Sequence, residues 1–453
     1  MGTWNTTNLS EIEFQRIEAE FYQKKFINAK IIAGDKSFKT YGIQVIHPAE
    51  VKRIYSKTGE LQIVLAQNVR DNVMDWTGSR FMDKSMLHLI ARNKLEEGDV
   101  LVTRSGANYG QTSVITIEPK QGDLFACADV LILKSGNIGG PLLSTFLNTT
   151  VGKLLMVRGV YGAGQPHVAP SYISHIPFPE FLLSAKDEIN NIIYKSRRLQ
   201  QESQALYQQA TTLLEKELGL DKITFDNPKS YTTSFSEVVI GARVDADYFQ
   251  PIYSQLLSKL SKFELRTINY LSDKLETGVY SSSYSNQGVD YIRGTNISTN
   301  GTIIREDLLK TNVVVPNIHN TAIMDDILVT RVGSIGVCGI VLSENQSIYS
   351  DNLIRIRIRE TNKSLISAKY ILLFLQSRYG QMLMTKFSGG SVQQRLNQSM
   401  LSKIPIPVIS HSKQIEIEEL YVESIKTSAK SKQLLNQAKN RVEELIEEAA
   451  KNN

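Results

Sequence analysis

The stretch LVTRSGANYG at residues 101–110 returns as LVTRVGSIG at residues 328–336, so the copies begin 328 − 101 = 227 positions apart. Two more pairs keep this register at 227 and 228: RIEAEFYQ (16–23) with RVDADYFQ (243–250), and HIPFPEF (175–181) with KIPIPVI (403–409). A register held over such a length predicts a tandem repeat of one large unit, not a recurring local turn. Two units are too few for a solenoid, so we expect two similar domains related by a pseudo-two-fold axis.

Composition places the chain among ordinary globular proteins. Its 453 residues exceed what one core can organise, and 42% are hydrophobic and 21% charged. The net charge of +5 permits a polyanionic partner without requiring one. No apolar run approaches the roughly 18 residues of a membrane span, and no signal peptide is recognisable, so we expect a cytoplasmic protein. Cys127 and Cys338 accompany no CxxC or histidine cluster, which favours reduced thiols over a disulfide or zinc site.

Each unit predicts an α+β fold. The runs GDVLVTR (98–104) and DDILVTR (325–331) are short and β-rich and are followed by glycine, which indicates a strand and a tight turn. Residues 141–156 and 367–384 space their apolar side chains near 3.6 and indicate helices. We therefore expect two α/β globules, each with a twisted and mostly antiparallel sheet.

Each unit ends in a run that predicts a long helix. Small or apolar residues recur every seven positions in the first helix and reappear 228 positions later in the second: Ile189, Ser196, Ser203 and Ala210, then Ile417, Ser424, Ser431 and Ala438. Such a seam lets two backbones approach closely, so we expect the helices to pair as an antiparallel coiled coil. The alternative is that each helix packs only on its own domain. About 30 helical residues span roughly 45 Å, which suits two domains on successive ~34 Å turns of a duplex.

In combination, these features resemble the specificity subunit of a Type I restriction-modification system. The features are the repeated RxxAxxxQ motif, the GD(V/I)LVTR-x-G strand and turn, and a glutamine followed by an IPxP run before a long helix. The resemblance implies target recognition domains at residues 1–183 and 243–410, each reading one half of a bipartite, asymmetric DNA target. It implies spacer helices at 184–220 and 411–453, joined through a linker at 221–242.

The resemblance also implies partners and cofactors. The helices would dock two methyltransferase subunits, and a restriction motor-nuclease subunit joins such complexes for cleavage. S-adenosylmethionine would belong to the methyltransferase, ATP and Mg to the restriction subunit, and no cofactor to this chain. One departure concerns the turn itself, because the first copy is one residue longer than the second and Gly98 is replaced by Asp325.

The sequence offers little sign of catalysis. It lacks GxGxxG at a strand–helix junction, a GxxxxGK[ST] phosphate loop and an Asn/Asp-Pro-Pro-aromatic run, so methyl transfer is expected from a partner. Asp35, Glu50 and Lys52 form a loose nuclease-like pattern that defines an enzyme alternative. The second repeat does not reproduce it, and a solvated charged turn is the simpler interpretation. A scaffold that binds no DNA is a third hypothesis.

Candidate DNA contacts are cationic and polar residues in loops. In the first unit they are Arg70, Arg80, Lys84, Arg104, Ser105, Asn108, Tyr109, Arg158, Gln165 and His167. In the second unit they are Ser281, Ser282, Tyr284, Arg293, Arg331, Lys386, Gln393 and Arg395. Arg104 and Arg331 occur in both copies, so we expect phosphate contact or a scaffolding ion pair with Asp99 or Asp326. Base reading is expected where the units differ, at residues 76–84 and 281–287.

Overall fold

The computed structural model describes residues 12–14, 16–76, 78–106, 108–116, 123–162, 166–226, 228–313, 321–389 and 395–452. The chain divides into two compact units. Unit 1 comprises Met1–Gln200 with Ser428–Asn453, and unit 2 comprises Gln201–Thr427. Each unit thus contains a part of both long helices. In the described ranges, no helix is long and apolar enough to cross a membrane.

The elements of the first half of the chain are short apart from one helix. Its strands are β1 (Gln44–Ile46), β2 (Leu61–Val64), β3 (Val69–Arg70), β4 (Val73–Met74), β5 (Arg80–Met82), β6 (Val100–Thr103), β7 (Thr112–Val114), β8 (Leu124–Ala126), β9 (Val130–Lys134), β10 (Val160–Tyr161) and β11 (His167–Val168). Its helices are α1 (Lys24–Ala33), α2 (Leu87–Ile90), α3 (Gly140–Leu147), α4 (Thr150–Arg158), α5 (Pro170–Ile173) and the long α6 (Lys186–Glu217).

The second half repeats this pattern. Its strands are β12 (Glu264–Thr267), β13 (Glu276–Thr277), β14 (Val289–Ile292), β15 (Leu309–Thr311), β16 (Thr321–Ala322), β17 (Ile327–Thr330), β18 (Cys338–Ile340), β19 (Ser347–Tyr349), β20 (Leu353–Ile356) and β21 (Pro405–Val408). Its helices are α7 (Phe235–Gly241), α8 (Pro251–Leu260), α9 (Ile268–Leu271), α10 (Ala368–Gln376), α11 (Arg378–Phe387), α12 (Gln398–Ser402) and the long α13 (His411–Asn452).

The two units share their sheet topology. In unit 1 the order β1-β9-β6-β7 is antiparallel throughout, and a second sheet, β5-β2-β8, pairs β2 with β8 in parallel. Unit 2 contains β13-β20-β17-β18 and β15-β14-β19-β16, with β14 and β19 parallel. Two similar α/β units with mostly antiparallel sheets and two long helices confirm the expected fold class. Each unit holds two main sheets where the sequence suggested one.

The repeated LVT run determines this architecture because both faces of its strand are buried. Successive side chains of a strand point to opposite faces. In β6, Val100 and Val102 pack into the core that contains α3 and α4, whereas Leu101 packs into the core of the second sheet. In β17, Ile327 and Val329 pack into the core that contains α10 and α11, whereas Leu328 packs into the core of the second sheet. A continuous apolar run is the sequence signature of such a strand.

The helical stretch of each unit is broken into two helices by a small residue. Thr149 accepts a hydrogen bond from Gly152 N and begins α4, and Ser377 does the same for Gly380 N at the start of α11. A Cβ atom on Gly152 would lie 2.1 Å from Phe146 O. Each predicted helical stretch therefore contains two helices, because an N-capping residue and close packing at glycine end the first helix early.

The long helices α6 and α13 pair within each unit through hydroxyl groups. In unit 1, Ser196 Oγ donates to Ser431 O at 2.9 Å, and Ser431 Oγ donates to Ser196 O at 2.8 Å. The ion pair of Glu188 with Arg441 (3.4 Å) fixes the antiparallel direction there. Ile189 and Ala438 are buried in the same core. The small side chains thus let a hydroxyl reach the backbone of the facing helix.

Unit 2 uses the same device. Ser203 Oγ donates to Ser424 O at 2.8 Å, and Lys413 Nζ lies 3.3 Å from Glu217, so the helices again run antiparallel. Ala210 and Ile417 are fully buried in the core of unit 2.

The repeated RxxAxxxQ motif closes each unit on itself. In unit 1, Arg16 lies over the Phe21 ring at 4.7 Å, and its Nη2 donates to Val160 O at 3.0 Å. In unit 2, Arg243 lies over the Tyr248 ring at 4.9 Å and donates to Ser388 O at 2.8 Å. The motif therefore ties the start of each unit to the segment that follows α4 or α11, and its repetition reflects this structural role.

Candidate DNA interface

The turn after β6 and β17 is built identically in both units. Thr103 Oγ1 accepts from Gln111 N at 2.9 Å, and Thr330 Oγ1 accepts from Val337 N at 3.0 Å. Gly106 and Gly333 follow at φ +84° and +79°, a left-handed conformation that favours glycine. The threonine hydroxyl thus fixes the turn, and the next residue, arginine in both units, stands at the strand end.

These two arginines do not hold the carboxylates proposed for them. Asp99 accepts from Glu96 N at 2.8 Å and from Lys134 Nζ at 2.9 Å. Asp326 accepts from Ile323 N and forms a bidentate pair with Arg357 at 2.8 and 2.6 Å. Burial raises the pKa of Asp99 even though Lys134 donates to it. The expectation that Arg104 or Arg331 pairs with these aspartates is therefore wrong, because each carboxylate has its own cation.

Arg104 and Arg331 instead retain much of their donor capacity. Arg104 Nη1 lies 2.9 Å from His47 Nε2, and burial together with the Arg104 charge lowers the pKa of His47, so a neutral imidazole accepts this bond. Arg331 Nη1 is 3.5 Å from Asp351 O, at the limit of a hydrogen bond. Within the described chain, neither Nε atom has a partner. Both guanidiniums can therefore bind an anionic ligand without breaking an ion pair.

A second polar side chain stands next to each arginine. Val168 N donates to Arg104 O, and Leu396 N donates to Arg331 O, which places His167 and Arg395 beside the turn at equivalent positions. Arg395 is exposed and His167 is partly exposed. Gln165 and Gln393, which were expected nearby, lie outside the described residues.

Unit 2 contains an open groove of about 840 Å³ beside its turn. Its wall includes Tyr280, Tyr284, Tyr291, Arg293 and Asp351. The hydroxyls of Tyr284 and Tyr291 donate to the backbone at Ser281 O and Val279 O, both at 2.8 Å, and the two rings are 5.9 Å apart. Tyr291 is 2% exposed and supports the wall from within, whereas the Tyr284 ring is 44% exposed and is held in place at the surface of the groove. Sequence reasoning missed Tyr291 and Asp351 because nothing in their local pattern marks them.

Other predicted residues of unit 1 lie at its surface. Lys84 and Asn108 are exposed, whereas Arg70, Arg80 and Tyr109 are partly exposed. Arg70 Nη1 donates to Gln111 Oε1 at 3.2 Å, which places it beside the turn. In unit 2, Ser282 is exposed.

Three predicted DNA contacts are buried instead. Arg158 is 5% exposed, lies 4.0 Å from the Phe21 ring centroid and donates to Phe21 O and Glu13. Ser105 and Ser281 are buried and donate to Asp129 and Ser283 O. The expectation that these three residues contact DNA is wrong, because their donors form hydrogen bonds within the fold.

Lys386 occupies the position equivalent to Arg158. Its Nζ donates to Tyr248 O at 2.7 Å and lies 3.7 Å from the centre of the Tyr248 ring. Burial, with the Arg243 charge, lowers the pKa of Lys386 to about 8. The expectation that Lys386 contacts DNA is therefore also wrong, because this lysine stabilises the RxxAxxxQ motif of unit 2.

The nuclease pattern finds no support in the structure. Asp35, Glu50 and Lys52 are all exposed. The described residues contain no group of three or more His, Cys, Asp or Glu side chains able to hold a metal ion. Cys127 and Cys338 are buried free thiols, and burial raises the pKa of Cys127.

Comparison with known proteins finds a family match for part of this chain. Residues 261–443 match the family model described as the Type I restriction modification DNA specificity domain. The chain therefore carries a Type I restriction-modification DNA specificity domain, and the resemblance noted in its sequence is confirmed. DNA recognition, the function expected of a specificity subunit, is confirmed with it and is favoured over the nuclease and scaffold alternatives.

Solved structures of this kind resemble the chain at low identity. The Type-I restriction-modification system S subunit from M. genitalium is 12% identical, with coverage of 91% of this chain and 95% of that one and a TM-score of 0.45. The HsdS subunit from Thermoanaerobacter tengcongensis is 11% identical, with coverage of 90% and 96% and a TM-score of 0.29. The presence of a specificity domain rests on the family match and not on these structural similarities. No curated protein matches the chain.

Proposed function

We propose that each unit of this DNA-recognition subunit reads one half of a bipartite, asymmetric DNA target. One observation carries the proposal. Both units present the same threonine-fixed turn with an arginine whose Nε has no partner among the described residues, beside loops that differ between the units. A shared arginine suits the DNA backbone, which is the same at every site, whereas differing loops suit different bases.

The subunit itself performs no catalysis in this proposal. The paired helices α6 and α13 dock two methyltransferase subunits, which supply S-adenosylmethionine and transfer the methyl group. A restriction motor-nuclease subunit, with ATP and Mg, joins the complex for cleavage. The complex acts on double-stranded DNA in the cytoplasm.

Methylome sequencing of a host that expresses this chain with its methyltransferase tests the proposal. The expected result is a split, asymmetric methylated motif. An unbroken palindrome, or no motif, contradicts it. Duplex binding by the assembled complex should weaken steeply with salt, because phosphate contacts release counterions. Metal-dependent cleavage by the purified chain alone would favour the nuclease alternative, and salt-insensitive or absent DNA binding would favour the scaffold.

A further inference from the structure

Arg293 presents an unusual combination of features in the groove of unit 2. It lines the groove and is partly exposed, yet its Nε is buried and has no hydrogen-bond partner among the described residues. A buried donor without a partner carries a desolvation cost that is relieved when a ligand supplies an acceptor. Its backbone position is fixed, because Arg293 N donates to Asn296 Oδ1 at 2.9 Å.

The equivalent position of unit 1 shows that this arginine is not needed for the fold. There, Leu65 N donates to Asn68 Oδ1 at 2.9 Å, so the same asparagine cap holds a leucine in place of arginine. Asn68 and Asn296 are both 1% exposed and 228 positions apart, which makes the equivalence secure. The side chain at this position therefore differs between two otherwise matching frames, which is what reading two different half-sites requires.

The chemistry of the groove favours a base over a phosphate. Asp351 lines the same groove, and a carboxylate repels phosphate while it accepts from the amino groups of bases. Tyr280, 72% exposed, and the fixed ring of Tyr284, 44% exposed, add neutral surface suited to base edges and methyl groups. Among bases, guanine offers the O6 and N7 acceptor pair that matches the fork of an arginine.

We propose that Arg293 reads one guanine in the half-site of unit 2 by donating to its O6 and N7 in the major groove. This inference rests on the proposed function and adds a specificity-determining residue to it. Arg331, beside the same groove but shared with unit 1, is left to the phosphate backbone.

Base analogues in the target duplex provide the test, with the chain assembled with its methyltransferase. Each guanine of the methylated motif is replaced in turn by 7-deazaguanine, which lacks the N7 acceptor, and by adenine. For the unmodified chain, one guanine in one half-site should show an affinity loss of about 5- to 150-fold on replacement by adenine. The Arg293→Gln variant should lose sensitivity at that guanine alone, and its methylome should be degenerate at that position with the other half-site unchanged.

Arg305→Gln is the matched control, because it removes the same charge from an arginine already paired with Asp290 at 2.6 Å. Its motif should stay intact. Equal weakening of Arg293→Gln on all sequences, with the motif unchanged, would make Arg293 a phosphate contact and overturn the inference. A motif without guanine in either half would overturn it too. If Arg293→Gln does not fold, a 7-deazaguanine scan of the unmodified chain in which no guanine is sensitive still overturns the inference. Absence of any split motif would instead refute the proposed function.

Discussion

Replacing Ser196 by alanine should lower the free energy of unfolding of unit 1 by about 0.5–1 kcal/mol. The change removes one buried hydrogen bond to Ser431 O, which contributes roughly 0.5–1.5 kcal/mol. Alanine offsets a few tenths of a kcal/mol of this loss, because it has a higher helix propensity than serine. The vacated carbonyl belongs to a helix and retains its backbone partner, so no larger cost is expected.

A larger side chain at the same position should do far more damage. Ser196 is 2% exposed against the facing helix, so Ser196→Leu forces the backbones apart at a cost of about 1–3 kcal/mol. Asn191→Leu, on the exposed side of the same helix, is the control and should stay near zero. Trp76 packs against the core of the second sheet in unit 1, so its fluorescence in a urea titration follows this unit.

Two results would refute the reasoning about the seam. One is a Ser196→Leu variant as stable as the unmodified chain, since the helices would then have room between them. The other is additive behaviour of Ser196→Ala and Ser431→Ala in a double-mutant cycle, because the two hydroxyls lie 2.9 Å apart and should be coupled.

Three further predictions concern unit 2. Leu328→Ala should destabilise it by about 2–5 kcal/mol in calorimetry, because this fully buried side chain fills the core of its second sheet; an exposed position such as Ser282→Ala should be silent. The pKa of Lys386 falls from 10.5 to about 8 on folding, so the unfolded chain holds this proton more tightly. Its cost to stability is fully present below pH 8 and fades toward pH 10.5, so the urea midpoint of the unmodified chain should rise between pH 7.5 and 9.5. The Lys386→Met variant should show a smaller rise over this range. An equal rise in both proteins would contradict this. Arg331→Gln should weaken binding to all duplexes alike and reduce the salt slope by about 1; a change of motif would contradict a phosphate role.

The sequence predicts the architecture well because repetition exposes what the fold needs. Residues that recur 227 or 228 positions apart prove structural: the threonine of the turn, the capping asparagines and the arginine of the RxxAxxxQ motif. Repetition alone does not separate a shared structural role from a shared ligand contact. Arg158 and Lys386 were expected to contact DNA because they are cations in candidate loops, and only the structure shows the aromatic ring that each one contacts.

The site is harder to predict because its residues come from distant segments. Asp351 and Arg293 line one groove although 58 positions, 351 − 293, separate them in the chain. Arg293 was expected from its loop, but no local pattern marks Asp351. The ion-pair partners Lys134 and Arg357 were missed for the same reason. Each is distant in sequence from the aspartate that it binds, Asp99 or Asp326.

The core of unit 1 has a consequence for synthesis on the ribosome. Ala438, Val442 and Ile446, near the far end of the chain, are buried in that core together with Ile189. A nascent chain that has released its first 200 residues still lacks these side chains, so unit 1 cannot complete its core until translation is nearly finished. Unit 2, whose residues are contiguous in sequence, can close first, which reverses the usual N-terminal-first order of folding during synthesis.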